Sequence, residues 1–344
     1  MFCGSEKTQK KGSRKGLKRF YCGSCGKSFS VDHREKPILW VSHVDGLPFR
    51  KLADQYGLSH PEVYSRVETE MDLIIENTYL SATYCNRWSG ILNLDGKYVK
   101  VKGYQKEIPF IYGMDFLTHD IPTGIMAPSE SSQAFARVFR LLKTIGYPLR
   151  IVICDDSSAL RLALKHSYPN AKIQLCHNHY FENLRYYLSI KTSDRFHPFF
   201  NELQAAFSTK HHPKKRQALL AHINYKYARD NDTILGIMVD IEKRSDELFA
   251  YKQFKNCPAT NNMIEGYNSQ LKGRFKTIKG FQSFHSAERW LNAWMIRRRT
   301  KKLTDCEKPF KHLNGECSLS QTLKKDQKWP SILGIKFDEK RTHF

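Results

Sequence analysis

The chain has 344 residues, with 56 Lys or Arg against 34 Asp or Glu and a formal charge of +22. A field of that sign gathers polyanions, which sets the chain apart from a small metabolic enzyme and points to nucleic acid. With 40% hydrophobic and 12% aromatic residues it can bury sizeable cores, so a wholly disordered basic tail is excluded and two or three domains are expected. Neither a membrane span nor a secretory signal is expected, because no run of about 18 apolar residues occurs and the Lys-rich start lacks an apolar core. A cytosolic location is expected, or a nuclear one if the host is a eukaryote. The nine cysteines, mostly single in apolar strings such as Ile153-Cys154, suit reduced thiols rather than a disulfide framework.

Residues 1–36 hold ten Lys or Arg against three acids and little periodicity, so they need a staple to fold. Cys22-Gly-Ser-Cys25-Gly-Lys-Ser-Phe29 resembles the second knuckle of a zinc ribbon, and Cys3 sits where a first knuckle is expected. Tetrahedral Zn2+ needs four ligands: either His33 joins Cys3, Cys22 and Cys25, or the chain begins inside the ribbon. Residues 37–84 form the next expected domain. Phe49, Leu52, Ala53 and Tyr56 recur at helical spacing before Gly57-Leu58-Ser59 breaks the pattern. Ser59, Pro61 and Glu62 then spell a capping box with a first-turn proline, starting a helix that runs to about Ile75. Two helices joined this way predict a helix-turn-helix that presents His60, Tyr64, Ser65 and Arg66 to the major groove, with Arg50 and Lys51 alongside.

From Trp88 the texture becomes α/β. Strands are predicted over Gly90–Val101, Ile108–Leu117, Thr123–Ala127, Leu149–Asp155 and Lys172–Cys176. Helices are predicted over Ser132–Ile145, Ala159–His166 and from His179 onward. Residues 181–255 read as largely helical, Asn261–Arg299 as helix broken near Gly280, and 301–344 as a basic, irregular tail. Tyr251, Phe254, Trp290 and Trp294 are expected in the core, and the Arg297–Lys302 run as a backbone clamp or exposed tail.

Asp95 and Asp155 each terminate an apolar strand, where an unpaired, desolvated carboxylate is costly. Glu265 opens a helix later in the chain. Hard carboxylate oxygens suit Mg2+ or Mn2+, and three of them can hold ions that activate an attacking oxygen and stabilise a leaving one in phosphodiester transfer. Asp115, Asp120 and Asp156 are weaker candidates, lying within a strand, at its turn and at a loop start.

Taken together, Asn93-Leu-Asp95-Gly, Ile153-Cys-Asp155, Gln174-Leu-Cys176-His-Asn-His179 and Thr260-Asn-Asn-Met-Ile-Glu265-Gly-Tyr-Asn-Ser-Gln-Leu-Lys272 resemble the DDE transposases of Mutator-like bacterial insertion sequences. The resemblance spans about residues 85–300. It implies an RNase H-like, five-stranded mixed sheet over 85–180 and 256–300, interrupted by an all-helical insertion over 181–255. It further implies that Asp95, Asp155 and Glu265 are a Mg2+-binding catalytic triad that cuts the element's inverted-repeat ends and joins the 3′-hydroxyls to target DNA. Cys176 and His179, i and i+3 and facing one way, belong to the signature near this site; two ligands alone do not make a zinc site. Lys272, Arg274, Lys276 and Lys279 follow Glu265 and are placed to hold phosphates. The expected partner is double-stranded DNA, with the chain acting as a homo-oligomer because two ends must be paired. The rivals are a non-catalytic DNA-binding regulator or domesticated transposase, and an RNase H-like nuclease that cuts without joining.

Overall fold

A computed structural model describes residues 3–14, 17–31 and 37–337, and the chain divides into two units, Met1–Leu39 and Trp40–Phe344. The first unit is a three-stranded antiparallel sheet of β1 (Thr8–Arg14), β2 (Leu17–Cys22) and β3 (Ser28–Val31). Phe20 and Phe29 stack across β2 and β3 at 5.6 Å. The turn between these strands closes through a 2.9 Å bond from Gly26 N–H to the Cys22 carbonyl, with Gly26 left-handed at φ 68. His33 lies outside the described residues.

The second unit opens with α1 (Trp40–Asp45), α2 (Phe49–Tyr56), α3 (His60–Asp72) and α4 (Asn77–Tyr84). Gly57, at φ 62, ends α2, and the Ser59 hydroxyl starts α3 by accepting the Glu62 N–H at 3.3 Å. Helix α3 stops at Asp72, three residues short of the expected Ile75.

The main sheet contains β4 (Ile91–Val99), β5 (Ile108–Asp115), β6 (Gly124–Met126), β7 (Ile151–Cys154) and β8 (Lys172–Leu175), in the order β6-β5-β4-β7-β8. β4, β7 and β8 are parallel, while β5 and β6 form an antiparallel meander on β4. Every residue of β5 and β7 is buried, as continuous apolar runs require. The crossovers carry α5 (Ser132–Ile145), closed by left-handed Gly146, and α6 (Ser158–Ser167).

After β8 come α7 (His177–Tyr187), α8 (His197–Ala206), α9 (Pro213–Tyr227), α10 (Asp232–Lys243) and the short α11 (Ser245–Leu248). Their shared core includes Phe181, Phe199, Phe200, Phe207 and Ile237. Helix α12 (Asn262–Ile278) returns to the sheet and packs on β4, followed by α13 (Phe284–Thr300) and the short α14 (Ser318–Thr322). Trp290 and Trp294 are core residues, and Tyr251 is buried. Among the described residues, no helix is long and apolar enough to cross a membrane.

The arginine run on α13 departs from expectation. Arg299 is fully buried: Nε and Nη2 each donate to an Asp120 carboxylate oxygen at 2.8 Å, and Nη1 donates to Asn77 Oδ1 and Ser81 Oγ. Arg297 pairs with Asp45 of α1, and the Arg298 guanidinium lies 4.5 Å from the Tyr267 ring centroid. These partners come from remote segments, so the run's fate was not visible locally.

His43, His119 and His177 are buried, and desolvation lowers the pKa of each to about 4. They stay neutral in the fold while the unfolded chain protonates below about pH 6.5, so stability is present above that pH and falls as pH drops toward about 4. Urea midpoints measured across this window are expected to decline. Replacing His177 by Phe, among the rings of Phe207, Phe249 and Tyr251, should make the decline shallower.

Candidate catalytic centre

Strand register builds the centre. Asn93 on β4 is level with Ile153 on β7; two residues further, Asp155 follows the last residue of β7, whereas Asp95 does not end its strand as expected but stays within β4, paired with Tyr112 of β5. Cys154 is level with Leu175, which brings Cys176 beside Asp155, tied by a 2.9 Å bond from Cys176 N–H to the Cys154 carbonyl. Cys176 caps α7 rather than lying within it, and His179 stands in the helix's first turn. Carboxyl ends of parallel strands that run into helices are where open α/β sheets assemble their sites.

Helix α12 closes the other side. Asn261 N–H donates to Cys176 Sγ at 3.2 Å, and Asn261 Nδ2 reaches the Leu94 carbonyl at 3.4 Å. His177 N–H donates to the Ala259 carbonyl at 3.0 Å. This seating places Glu265 Oε1 3.7 Å from His179 Nδ1 and 4.0 Å from Cys176 Sγ, while His179 Nδ1 lies 2.5 Å from Asp155 Oδ1. One helical turn beyond Glu265, Asn268 Nδ2 donates to Asp95 Oδ2 at 2.6 Å. Asn268 Oδ1 accepts in turn from the fully buried Tyr112 hydroxyl at 3.0 Å, which fixes the amide and hence the carboxylate.

The electrostatics are those of crowded anions. Burial, then the Asp155 charge, pushes the Asp95 carboxyl up to about 7. Hydrogen bonding to Asp155, then to Cys176, raises His179 to about 11, so its imidazolium offsets part of the negative field. Carboxylates held this close suit a divalent cation: Asp95, Asp155 and Glu265 are the residues that could hold one.

Glu130, between β6 and α5, is a fourth carboxylate near Asp95. A Cβ on Gly96 would stand 2.0 Å from Glu130 Oε1, so only glycine beside Asp95 lets this carboxylate approach. Burial raises the Glu130 pKa against a hydrogen bond from Tyr98, and the Asp155 charge raises it further. No sequence spacing reveals it, because the β6–α5 turn delivers it from another segment.

The weaker acidic candidates have structural partners. Asp115 accepts from Ser89, Thr118 and the Tyr147 hydroxyl, Asp120 holds Arg299, and Asp156 pairs with Arg161 and Arg244 at 2.7 Å each.

Of the expected DNA contacts, Arg50, Lys51, His60, Lys272 and Lys276 are exposed. Tyr64 is partly exposed with its ring edge-on to Phe49, and Arg66 lies 3.9 Å from Glu70. Arg274 is turned inward: it donates to the His43 carbonyl at 2.7 Å and the Gly46 carbonyl at 3.2 Å, clasping the end of α1. In the first unit, the sulfurs of Cys3, Cys22 and Cys25 lie within 4.8 Å of one another. Backbone N–H groups of Cys25 and Ser24 point at Cys22 and lower its thiol to about 7, favouring the thiolate that ligates metal.

The family profile described as "Transposase, Mutator family" matches residues 77–300, more than half of the chain. The transposase for insertion sequence element IS1201 of Lactobacillus helveticus is 21% identical over 171 residues, 48% of this chain and 44% of the relative, so the match spans less than half the length of that curated protein. The cryo-EM structure of the simian T-cell lymphotropic virus intasome in complex with PP2A regulatory subunit B56 gamma aligns at 10% identity and a TM-score of 0.27, over 85% of this chain and 81% of that one. The family match covers Asp95, Asp155 and Glu265, and on it the chain belongs to the Mutator family of transposases.

Proposed function

We propose that this transposase binds the terminal inverted repeats of an insertion sequence, cuts the element's ends by metal-dependent phosphodiester hydrolysis and joins the freed 3′-hydroxyls to target DNA. The observation that carries the proposal is the meeting of Asp95, Asp155 and Glu265 from β4, β7 and α12 at one end of the sheet. The core would be RNase H-like over 85–180 and 256–300, with 181–255 inserted and 301–344 trailing. Residues 37–84 would act as a helix-turn-helix on the repeats, with Arg50, Lys51, His60, Tyr64 and Arg66 toward DNA. Residues 1–36 would form a ribbon in which Cys3, Cys22 and Cys25 hold Zn2+. Pairing two ends calls for a homo-oligomer on DNA, and the cytoplasm of a prokaryotic cell is where such DNA lies.

Mg2+ or Mn2+, when bound by the three carboxylates, would activate the attacking oxygen and stabilise the leaving one. Asn268, fixed by Tyr112, holds Asp95 in orientation. His179 keeps a proton at Nδ1 against Asp155. Exposed Lys272 and Lys276 offer charge to the backbone near the cut. With its folded-state pKa near 7, Asp95 sheds a proton to become a ligand, so the Mg2+ concentration giving half-maximal cleavage is expected to fall as pH rises from about 6 to about 8.

The test pairs two assays on DNA carrying the ends of the element that encodes the chain. Mg2+-dependent nicking at the ends, and joining of a pre-cut 3′-hydroxyl end to a second duplex, are both expected. Nicking without joining would leave an RNase H-like nuclease. Binding with neither activity would leave a DNA-binding regulator.

A further inference from the structure

The geometry points to a second kind of metal site at the same end of the sheet: we infer that Asp155, Cys176, His179 and Glu265 form a four-ligand, tetrahedral site for a borderline-soft divalent ion of the Zn2+ class. The carboxylates shared with the proposed catalytic set make this inference rest on that reading only for its consequence, that such an ion competes with Mg2+ for Asp155 and Glu265.

Three donors are already clustered, and Glu265 stands beside two of them. Bonds of about 2.0–2.3 Å to one ion separate neighbouring ligand atoms by about 3.3–3.7 Å. His179 Nδ1 is 3.7 Å from Glu265 Oε1, and Cys176 Sγ is 4.0 Å from the same oxygen. The ligand atoms of Asp155, Cys176 and His179 all lie within 4.8 Å of one another. The closest contact, His179 Nδ1 to Asp155 Oδ1 at 2.5 Å, is the one an ion would open by entering between them.

The donor types decide the ion. A thiolate and an imidazole beside two carboxylates favour Zn2+ over Mg2+, which prefers oxygen ligands and keeps its waters. Cys176 is 1% exposed, and the Asn261 N–H donates to its sulfur, a bond that orients it as outer-shell donors do in metal sites. Asp95 stays outside the set, retained by Asn268 and by the Gly96 N–H at 2.8 Å.

Co2+ is the probe, used on the full chain with Cys3, Cys22 and Cys25 each replaced by Ser to silence the first unit. Co2+ is expected to give the intense visible bands of a tetrahedral ion together with a thiolate charge-transfer band, and Zn2+ to abolish both. Cys176→Ser in that background should lose the charge-transfer band. His179→Gln should keep the band but weaken Co2+ binding by more than the about 10–100-fold that losing an outer-shell partner costs. Weak six-coordinate bands without charge transfer, or a charge-transfer band that survives Cys176→Ser, would overturn the site; so would unchanged affinity in His179→Gln. Mg2+-dependent cleavage is measured on the same protein. Its absence with the cobalt site intact removes the proposed function and leaves this inference, whereas cleavage with no thiolate–cobalt band removes this inference alone.

Discussion

Asp155→Asn is expected to lower Mg2+-dependent cleavage at least about 1,000-fold, a loss of ~4 kcal/mol of transition-state stabilisation. Asp155 leaves β7 level with Asp95 and touches His179, so the amide removes one anionic ligand while keeping the side chain's shape. Binding to the same DNA should change little at fixed salt, because the exposed lysines proposed to meet phosphates are untouched. Single-turnover cleavage and an electrophoretic binding assay on matched samples separate the two effects. Comparable loss of binding and cleavage would mean that Asp155 supports the fold or the DNA surface rather than the chemistry.

Arg299→Met is expected to cost about 3–5 kcal/mol of stability. The guanidinium is fully buried and bidentate to Asp120, which also accepts from Ser318 and from Thr322 of α14. Methionine fills much of the volume but leaves the Asp120 carboxylate buried without its counter-charge. Because the same carboxylate anchors α14, protease cleavage between residues 301 and 317 should accelerate in the variant. Asp120→Asn in the Arg299→Met background should recover part of the loss, since it removes the stranded charge. Urea unfolding of the three proteins reads this directly, and an unchanged midpoint in Arg299→Met would contradict it.

Local chemistry made much of the fold legible. Apolar runs marked β4, β5 and β7, Gly57 and Ser59 bounded α2 and α3, and Gly146 closed α5. What escaped depends on partners distant in sequence. Arg299 looked like one basic residue among several until Asp120, Asn77 and Ser81 enclosed it. Arg274 looked like a phosphate ligand until the His43 and Gly46 carbonyls at the end of α1 took its Nη1 and Nη2. At the site, Asp155 after β7 and Glu265 in the first turn of α12 lie at element boundaries legible in the sequence, and Asp95, in the middle of β4, was legible only as the carboxylate that interrupts an apolar run. Glu130 was not, since its place against Gly96 depends on how the meander folds back. Cys176 and His179 could be paired by spacing, yet their proximity to Asp155 and Glu265 comes from the β7–β8 register and the seating of α12.

The central claim, that Asp95, Asp155 and Glu265 hold the divalent ion, is tested most directly by Mn2+ uptake. Electron paramagnetic resonance follows the free ion as full-length protein is added. The chain is expected to deplete the free Mn2+ signal, Mg2+ to restore it, and Asp95→Asn, Asp155→Asn and Glu265→Gln combined to abolish the depletion. Equal Mn2+ uptake by the combined variant and the unaltered chain would contradict it.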